Sequence, residues 1–136
     1  MGYWMVKQEP SSYSFDEFVH DKKTDWTGVR NYQARNFLRE MKKGDEVLFY
    51  HSGNEKAVVG SATVTKEAFR DPTSDEDAWV AVELKAGKKL KRPVSLAEIK
   101  AEPSLSEILL VRNGRISVMS LERPEFERVV EMGNKA

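Results

Sequence analysis

One stretch in the middle of the chain most constrains the fold, because it passes from a helical pattern directly into two strand patterns. Between residues 31 and 43, apolar side chains recur at intervals of three and four and form one helical stripe: Ala34, Phe37, Leu38 and Met41. Gly44 supplies the stop for this helix. Residues 46–52 and 57–65 are rich in strand formers, and a turn-forming tetrapeptide separates them, which predicts a hairpin. A chain with this order is neither all-helical nor all-β.

The other predicted elements are short and lie on both sides of this stretch. Strands are predicted at residues 3–8, 79–84 and 116–121, and helices at residues 15–20, 96–101 and 124–133. Ser14 with Glu17 has capping-box spacing before the first of these helices, Ser95 is the predicted cap of the second, and Gly133 is the predicted stop of the third. Residues 21–25 are predicted to be a polar connection. Gly60, in the middle of a strand, indicates a bulge or a close backbone approach. Five or six short strands, mixed with short helices in no regular alternation, predict a single α+β domain over residues 1–136, built around a barrel-like, mostly antiparallel sheet.

Composition excludes several classes of function. Lys plus Arg and Asp plus Glu are both 22, so the formal net charge is zero, and tight, sequence-blind coating of nucleic acid would need an excess of cations. The absence of cysteine excludes disulfides, thiol nucleophiles and zinc-thiolate sites, and two histidines argue against a transition-metal site built from protein ligands alone. We therefore expect no metal and no cofactor. No apolar run approaches the about 18 residues of a membrane span, so we expect a soluble, cytoplasmic monomer.

Aromatic and polar residues cluster at the start of the central helix. Trp26 lies in a polar stretch beside Gly28, a setting that favours a cleft wall and a core position equally. The first backbone N–H groups of the helix, around Arg30, Asn31 and Tyr32, have no intrahelical partner and could donate to a ligand. The side chain of Asn31 could equally serve as the helix cap.

The strand after this helix is predicted to end in His51 and Ser52. Neighbouring side chains of a strand point to opposite faces, so these two residues cannot hydrogen-bond as a catalytic dyad. A ring nitrogen of His51 is better suited to donate to a polar ligand or accept from it. A small hydrolase that uses His51 with Asp45 or Asp71 stays open as an alternative.

Two basic clusters complete the candidate surface. The first lies on and after the central helix and the second follows the strand predicted at residues 79–84; their members are Arg30, Arg35, Arg39, Lys42 and Lys43, and Lys85, Lys88, Lys89, Lys91 and Arg92. A solvated face is the usual explanation for such runs. If both clusters flank one cleft, they would hold a phosphate backbone while aromatic residues contact a base.

Six sequence blocks in one order resemble an EVE domain over about residues 3–130. The blocks are WMVKxEP at 4–10, YS at 13–14, WxGVRNYxARN at 26–36, FYHS at 49–52, DPT at 71–73 and PVSL at 93–96. The resemblance implies a PUA-like pseudo-barrel with peripheral helices, related to the YTH and ASCH domains. It also implies a non-catalytic module that turns a modified base out of nucleic acid into an aromatic pocket. The implied partner is DNA with modified cytosine, such as 5-methylcytosine; modified RNA and a protein-adaptor role stay open.

The resemblance, together with the basic clusters, implies a set of site residues. Those of the base pocket are Lys7, Gln8, Trp26, Val29, Arg30, Asn31, His51, Ser52 and Trp79, and phosphate contacts are expected from Arg35, Arg39, Lys42, Lys88 and Lys89. Gln8 departs from the Ser or Thr expected in the family, so its hydrogen bonds are expected to differ. Met119-Ser120 stands where relatives more often have Gln-Pro. Trp79 is expected to close the pocket.

Overall fold

Residues 1–135 are described by a computed structural model of the chain. In chain order the elements are β1 (Tyr3–Gln8), α1 (Phe15–Asp21), β2 (Lys23–Asp25), α2 (Tyr32–Glu40), β3 (Glu46–His51), β4 (Ala57–Arg70), β5 (Val80–Ser95), α3 (Leu96–Ala101), α4 (Leu109–Arg112), β6 (Val118–Leu121) and α5 (Arg123–Asn134). A short 3-10 turn, Pro103–Leu105, lies between α3 and α4. Within residues 1–135, no helix has the length and apolar character needed to cross a bilayer.

The six strands form one mixed sheet in the order β2-β5-β4-β3-β1-β6. β1 pairs in parallel with β3, and the other neighbouring strands are antiparallel. β2 and β6 form the two edges, and in the described part of the chain they do not pair with each other, so the sheet is open and only loosely a pseudo-barrel. The predicted α+β class, with five to six mostly antiparallel strands and short peripheral helices, is confirmed.

Local sequence patterns account for several of these elements. β1 spans the predicted residues, and α1 begins with the predicted capping box: Ser14 Oγ accepts from the Glu17 N–H at 3.1 Å, while Glu17 Oε1 accepts from the Ser14 N–H at 3.0 Å. Gly60 lies beside register shifts in the pairing of β4 with β5, and a Cβ there would lie 2.3 Å from the ring of Phe15. Gly60 therefore provides the predicted close approach, between β4 and α1.

Other predicted boundaries are wrong for physical reasons. The polar connection predicted at residues 21–25 contains β2, because residues 23–25 pair with β5 across the sheet. α2 ends at Glu40 rather than near residue 43, since Met41 already has an extended ψ of 137°. Gly133 does not stop α5. It lies inside that helix, where a Cβ would come 2.6 Å from Leu90, so its role is close contact between α5 and β5.

The second half of β5 and the whole of α4 were not predicted. β5 extends over 16 residues and contains the second basic cluster, which was predicted only to follow the strand at residues 79–84. Pairing of this half with β4 supplies the hydrogen bonds that make it a strand. α4 is only 4 residues long, too short to leave a periodic apolar signal.

An aromatic cluster ties α1 and the segment before α2 to the sheet. Phe15, Phe18 and Phe49 are buried, and the ring centroids of Phe15 and Phe18 lie 5.3 Å and 5.5 Å from that of Phe49. Trp26 meets Phe49 edge to face at 5.4 Å. These contacts fix Trp26 and the start of α1 relative to β3.

Candidate nucleic-acid interface

A small recess lies where the end of β1, the turn before α1 and β2 meet. Its volume is about 200 Å³, and its lining residues are Gln8, Tyr13, Thr24, Asp25, Trp26 and Thr27. The lining combines two aromatic rings with amide, hydroxyl and carboxylate groups. Drug-sized ligands occupy pockets of about 300–1,000 Å³, so this recess suits a single small ring rather than an extended ligand.

Trp26 is both a core residue and a wall of the recess. Only 5% of its surface is exposed, because its ring lies against Phe49 in the aromatic cluster. Its backbone N–H donates to the carbonyl of Val82 at 2.7 Å, which continues the pairing of β2 with β5. The cleft and the core interpretations of Trp26 are therefore compatible: the residue packs in the core and also lines the recess.

Tyr13 is the second aromatic residue of the recess and is bound to α1 in two ways. It directly precedes the Ser14 cap, and its hydroxyl donates to Asp21 Oδ2 at 2.8 Å, at the last residue of α1. Burial and this hydrogen bond raise the pKa of Tyr13 to about 12. The phenol stays protonated at neutral pH, so the ring presents a neutral aromatic surface to the recess.

The segment that leads from the recess to α2 is held by the buried carboxylate of Asp71. Its Oδ2 accepts from the Gly28 N–H at 2.8 Å and from Arg30 Nη1 at 2.9 Å, and its Oδ1 accepts from the backbone N–H and the hydroxyl of Thr73 at 2.7 Å and 2.6 Å. Burial alone would raise the pKa of Asp71, but hydrogen bonds from Thr73, Gly28 and Arg30 hold it well below its usual range. Gly28 has φ of 82°, which suits glycine best.

The start of α2 is occupied by contacts within the protein. Asn31 Oδ1 accepts from the Ala34 N–H at 2.9 Å, so its side chain acts as the helix cap. Tyr32 is 61% exposed and its ring lies 4.9 Å from that of Trp79. The guanidinium groups of Arg35 and Arg30 lie over Tyr32 and Trp79, at 4.9 Å and 5.7 Å from the ring centroids. Trp79 is itself only 9% exposed, packs against Tyr32 and Arg30, and is not one of the residues that line the recess.

Lys7 and Val29 lie near the recess along the chain without lining it. Lys7 Nζ donates to the Gly114 carbonyl at 2.6 Å and lies 5.6 Å from the centre of the Tyr50 ring. Burial lowers the pKa of Lys7. Val29 is a buried core residue.

His51 lies in a different cavity, of about 240 Å³, between α1, the β3–β4 turn and β5. Its Nε2 is 3.0 Å from the Phe15 N–H, which makes it the acceptor, and its Nδ1 is 3.0 Å from Glu55 Oε1. The tautomer that satisfies both contacts carries its proton on Nδ1 and donates to Glu55. Ser52 lines a third cavity, beside Glu9 and Pro10, and its backbone N–H donates to the Gln8 carbonyl at 2.9 Å.

Of the nine residues predicted for the base pocket, the recess brings together Gln8 and Trp26. The sequence prediction missed Tyr13, Thr24, Asp25 and Thr27. Three of these flank Trp26 in the chain, which was the available signal. Tyr13 stands next to the capping box, but nothing in the sequence placed it in the same recess as Trp26, because that arrangement depends on how α1 packs on the sheet.

The residues predicted to contact phosphate fall into two groups. Arg35 and Lys89 have partners inside the protein: Arg35 Nη1 donates to the Ala78 carbonyl at 3.3 Å, and Lys89 Nζ lies 3.1 Å from Asp16 Oδ1. Arg39, Lys42 and Lys88 are exposed and make no ion pair within residues 1–135. The second group is therefore free to meet an anionic partner.

The fold is that of a small α+β domain, and its recess has the volume of a single small ring. The chain belongs to the EVE domain family, because the family model described as EVE domain matches residues 2–132. This match confirms the resemblance seen in the sequence blocks.

Comparison with known proteins gives similarity over nearly the whole chain. Thymocyte nuclear protein 1 from Homo sapiens is 34% identical over an alignment 167 positions long, gaps included, which covers 98% of this chain and 74% of that protein. A crystal structure of a protein from Agrobacterium tumefaciens is 38% identical with a TM-score of 0.94, covering 98% of this chain and 93% of that one. The crystal structure of human THYN1 protein in complex with DNA containing 5-methylcytosine is 32% identical with a TM-score of 0.92, covering 100% of this chain and 99% of that one.

Proposed function

We propose that this protein is a non-catalytic reader of DNA that contains modified cytosine, and that the modified base turns out of the duplex into the Trp26 recess. One observation carries the proposal: a base-sized recess walled by two aromatic residues lies in a chain similar along its whole length to a protein solved with DNA that contains 5-methylcytosine. The zero net charge agrees with recognition of one base rather than coating of the backbone.

The polar lining of the recess suits the edge of a cytosine. Cytosine presents an amino donor at N4 and acceptors at N3 and O2, so a matching site needs both acceptors and donors. Gln8 Oε1 accepts from the Glu9 N–H at 3.2 Å, and the two amide N–H groups of its side chain, unpaired within residues 1–135, are available to a ligand. The hydroxyls of Thr24 and Thr27 can each donate or accept a hydrogen bond.

The energetics require contacts beyond the recess. Extruding a base costs a few kcal/mol, and stacking on an aromatic residue returns about 1–3 kcal/mol per base. Because only 5% of the surface of Trp26 is exposed, it returns less than a fully presented ring would. Phosphate contacts must supply the remainder, and the exposed cations Arg39, Lys42 and Lys88 are the candidates.

Discrimination by the methyl group itself is expected to be modest. One buried methyl contributes about 0.8 kcal/mol, which corresponds to about a fourfold difference in affinity. Stronger preference for a modified base has to come from steric fit and from hydrogen bonds to the base edge.

The contacts of the ionisable residues support a binding role over a hydrolase. Both ring nitrogens of His51 are occupied, by Phe15 and Glu55, so neither is free to abstract a proton from a nucleophile. Asp45 accepts from the Gly2 N–H and from Trp4 Nε1, each at 2.9 Å, and Asp71 is committed to the Gly28 segment. The three residues proposed for a hydrolase therefore serve separate structural contacts.

A binding titration tests the proposal. Fluorescence anisotropy with labelled oligonucleotides compares the same sequence with cytosine or 5-methylcytosine, as duplex DNA, single-stranded DNA and RNA, at two salt concentrations. The protein is expected to prefer methylated DNA, with affinity that falls as salt rises. Gln8→Ala should weaken binding about five- to tenfold through the lost amide contact. Gln33→Ala, at the exposed glutamine of α2, is the matched control and should bind as wild type does.

Three results would contradict this assignment. Equal affinity for the cytosine and 5-methylcytosine duplexes would show that the protein does not recognise the modified base. Equal effects of Gln8→Ala and Gln33→Ala on the affinity would show that the recess is not part of the DNA-binding interface. Binding to methylated RNA in the absence of binding to methylated DNA would show that DNA is the wrong polymer.

A further inference from the structure

We propose that His51 is a positioning residue of the Trp26 recess: it caps the start of α1 from the neighbouring strand and thereby holds Tyr13 in the recess wall. This inference rests on the proposed function for its consequence in binding. The cap itself rests on contacts within the protein alone.

The cap is a hydrogen bond from the first residue of α1 to an imidazole. The first N–H groups of a helix have no partner inside the helix. Ser14 Oγ accepts from the Glu17 N–H, which leaves the Phe15 N–H, and His51 Nε2 accepts from it at 3.0 Å. The side chain of His51 is nearly buried, so this contact is shielded from water. This hydrogen bond thus joins the end of β3 to the start of α1.

The same contact reaches the recess through Tyr13. Tyr13 precedes the Ser14 cap in the chain, and its hydroxyl donates to Asp21 at the other end of α1. Its ring also lies 6.2 Å from that of Phe18 on the same helix. Because Tyr13 is attached to α1 at both ends and along its side, a shift of α1 moves one wall of the recess.

Protonation of His51 would reverse the polarity of the cap. An imidazolium donates from both nitrogens, so Nε2–H would face the Phe15 N–H. Imidazoles in general change charge between about pH 5 and 8. The charged groups that face His51 are Glu55 in the β3–β4 turn, Asp16 on α1, and Lys89 and Lys91 on β5, and Lys89 is neutralised by Asp16 at 3.1 Å. Glu55 can keep its contact with the protonated ring, whereas Phe15 cannot.

The sign of the pH effect distinguishes this mechanism from ordinary electrostatics. A protein gains positive charge as the pH falls, so nonspecific attraction to DNA strengthens in acid. If His51 holds the recess wall, the affinity for methylated DNA must instead fall as His51 becomes protonated. We expect a loss of about five- to tenfold once the cap is reversed, the effect of losing one buried hydrogen bond, and the measurement covers the range in which imidazoles in general change charge, about pH 5 to 8.

Substitutions at the two histidines separate the positioning role from a general structural one. His51→Gln places an amide oxygen near the position of Nε2 and cannot titrate, so binding should stay near wild type and lose its acid sensitivity. His51→Ala should bind weakly across the range. His20→Gln alters the other histidine, which is exposed on α1, and should keep the wild-type pH profile.

The experiment measures affinity for the methylated duplex across this pH range for the four proteins, and amide-exchange protection of the Phe15 N–H without DNA. Protection in wild type should fall in acid, stay constant in His51→Gln and be low in His51→Ala. If the exchange protection of the Phe15 N–H changes neither with pH nor in His51→Ala, His51 does not cap α1, whether or not the protein binds DNA. If protection behaves as expected but wild type binds no methylated DNA, the proposed function fails and the cap stands. If wild type binds more tightly in acid, or His51→Gln keeps the wild-type profile, the link from His51 to the recess is wrong.

Discussion

Replacement of Asp71 by asparagine tests how the recess segment is held. The two carboxylate oxygens of Asp71 divide their partners: Oδ2 accepts from Gly28 and Arg30, and Oδ1 accepts twice from Thr73. Asparagine has one acceptor oxygen and one amino group. In either orientation the amino group faces a backbone N–H, of Gly28 or of Thr73, and leaves that donor unpaired.

The expected cost follows from these contacts. An unpaired buried donor costs about 1–3 kcal/mol, and the remaining hydrogen bonds each lose about 1 kcal/mol when the acceptor is no longer charged. The side chain of Arg30 is 39% exposed, so water compensates part of its lost ion pair. Together these effects predict a loss of about 3–4 kcal/mol in the free energy of unfolding at neutral pH. Urea denaturation followed by tryptophan fluorescence measures it, and Asp75→Asn in the same loop is the exposed control.

The difference between wild type and Asp71→Asn should depend on pH. Because the folded pKa of Asp71 is depressed, its charge stabilises the fold above the unfolded pKa, and this stability is lost as pH falls toward the folded pKa. With an unfolded aspartate near pKa 3.9, wild type should lose about 1.3 kcal/mol relative to Asp71→Asn between neutral pH and pH 3. A loss below about 1 kcal/mol at neutral pH, or a difference independent of pH, would refute this account of Asp71.

Two further substitutions test the contacts around the aromatic cluster. Trp26→Ala removes a ring that is 95% buried against Phe49, so we expect a loss of about 3–5 kcal/mol in unfolding free energy rather than a purely local loss of binding; a stable variant in urea would contradict this. Gly60→Ala would place a Cβ 2.3 Å from the Phe15 ring and should cost about 1–3 kcal/mol or more, whereas Gly114→Ala meets no atom within 4 Å and should be nearly neutral in thermal unfolding. Equal melting temperatures for the two glycine variants would show that the contact of β4 with α1 is looser than described.

The sequence predicted best those elements whose signals are local. The Ser14 and Ser95 caps, the span of β1 and the turn between β3 and β4 depend on neighbouring residues, and the structure confirms them. β2 pairs with residues 83–85 of β5, and the basic half of β5 pairs with β4, so both depend on hydrogen bonds between residues far apart in the chain. A polar strand of this kind carries no apolar periodicity, so single-sequence patterns miss it.

The same difference between local and long-range signals applies to the candidate site. Trp26 and Gln8 were predicted for the pocket and line the recess, while Tyr13 became visible only once α1 was packed on the sheet. The helix-start residue Asn31 had two open interpretations, and its 2.9 Å contact with the Ala34 N–H favours the cap. These assignments depend on distances between elements of the fold, and neither composition nor residue spacing gives those distances.

The most direct test of the central claim is to follow the indole N–H signals of the three tryptophans by NMR as a 5-methylcytosine duplex is added. Trp4 Nε1 donates to Asp45 at the other end of β1, and Trp79 packs against Tyr32 and does not line the recess, so both report on sites outside the recess. The Trp26 signal should shift strongly with the methylated duplex, less with the unmodified one, and more than the signal of Trp4. Shifts confined to Trp79, or a Trp26 signal that ignores the methylated duplex at saturation, would show that the base binds elsewhere.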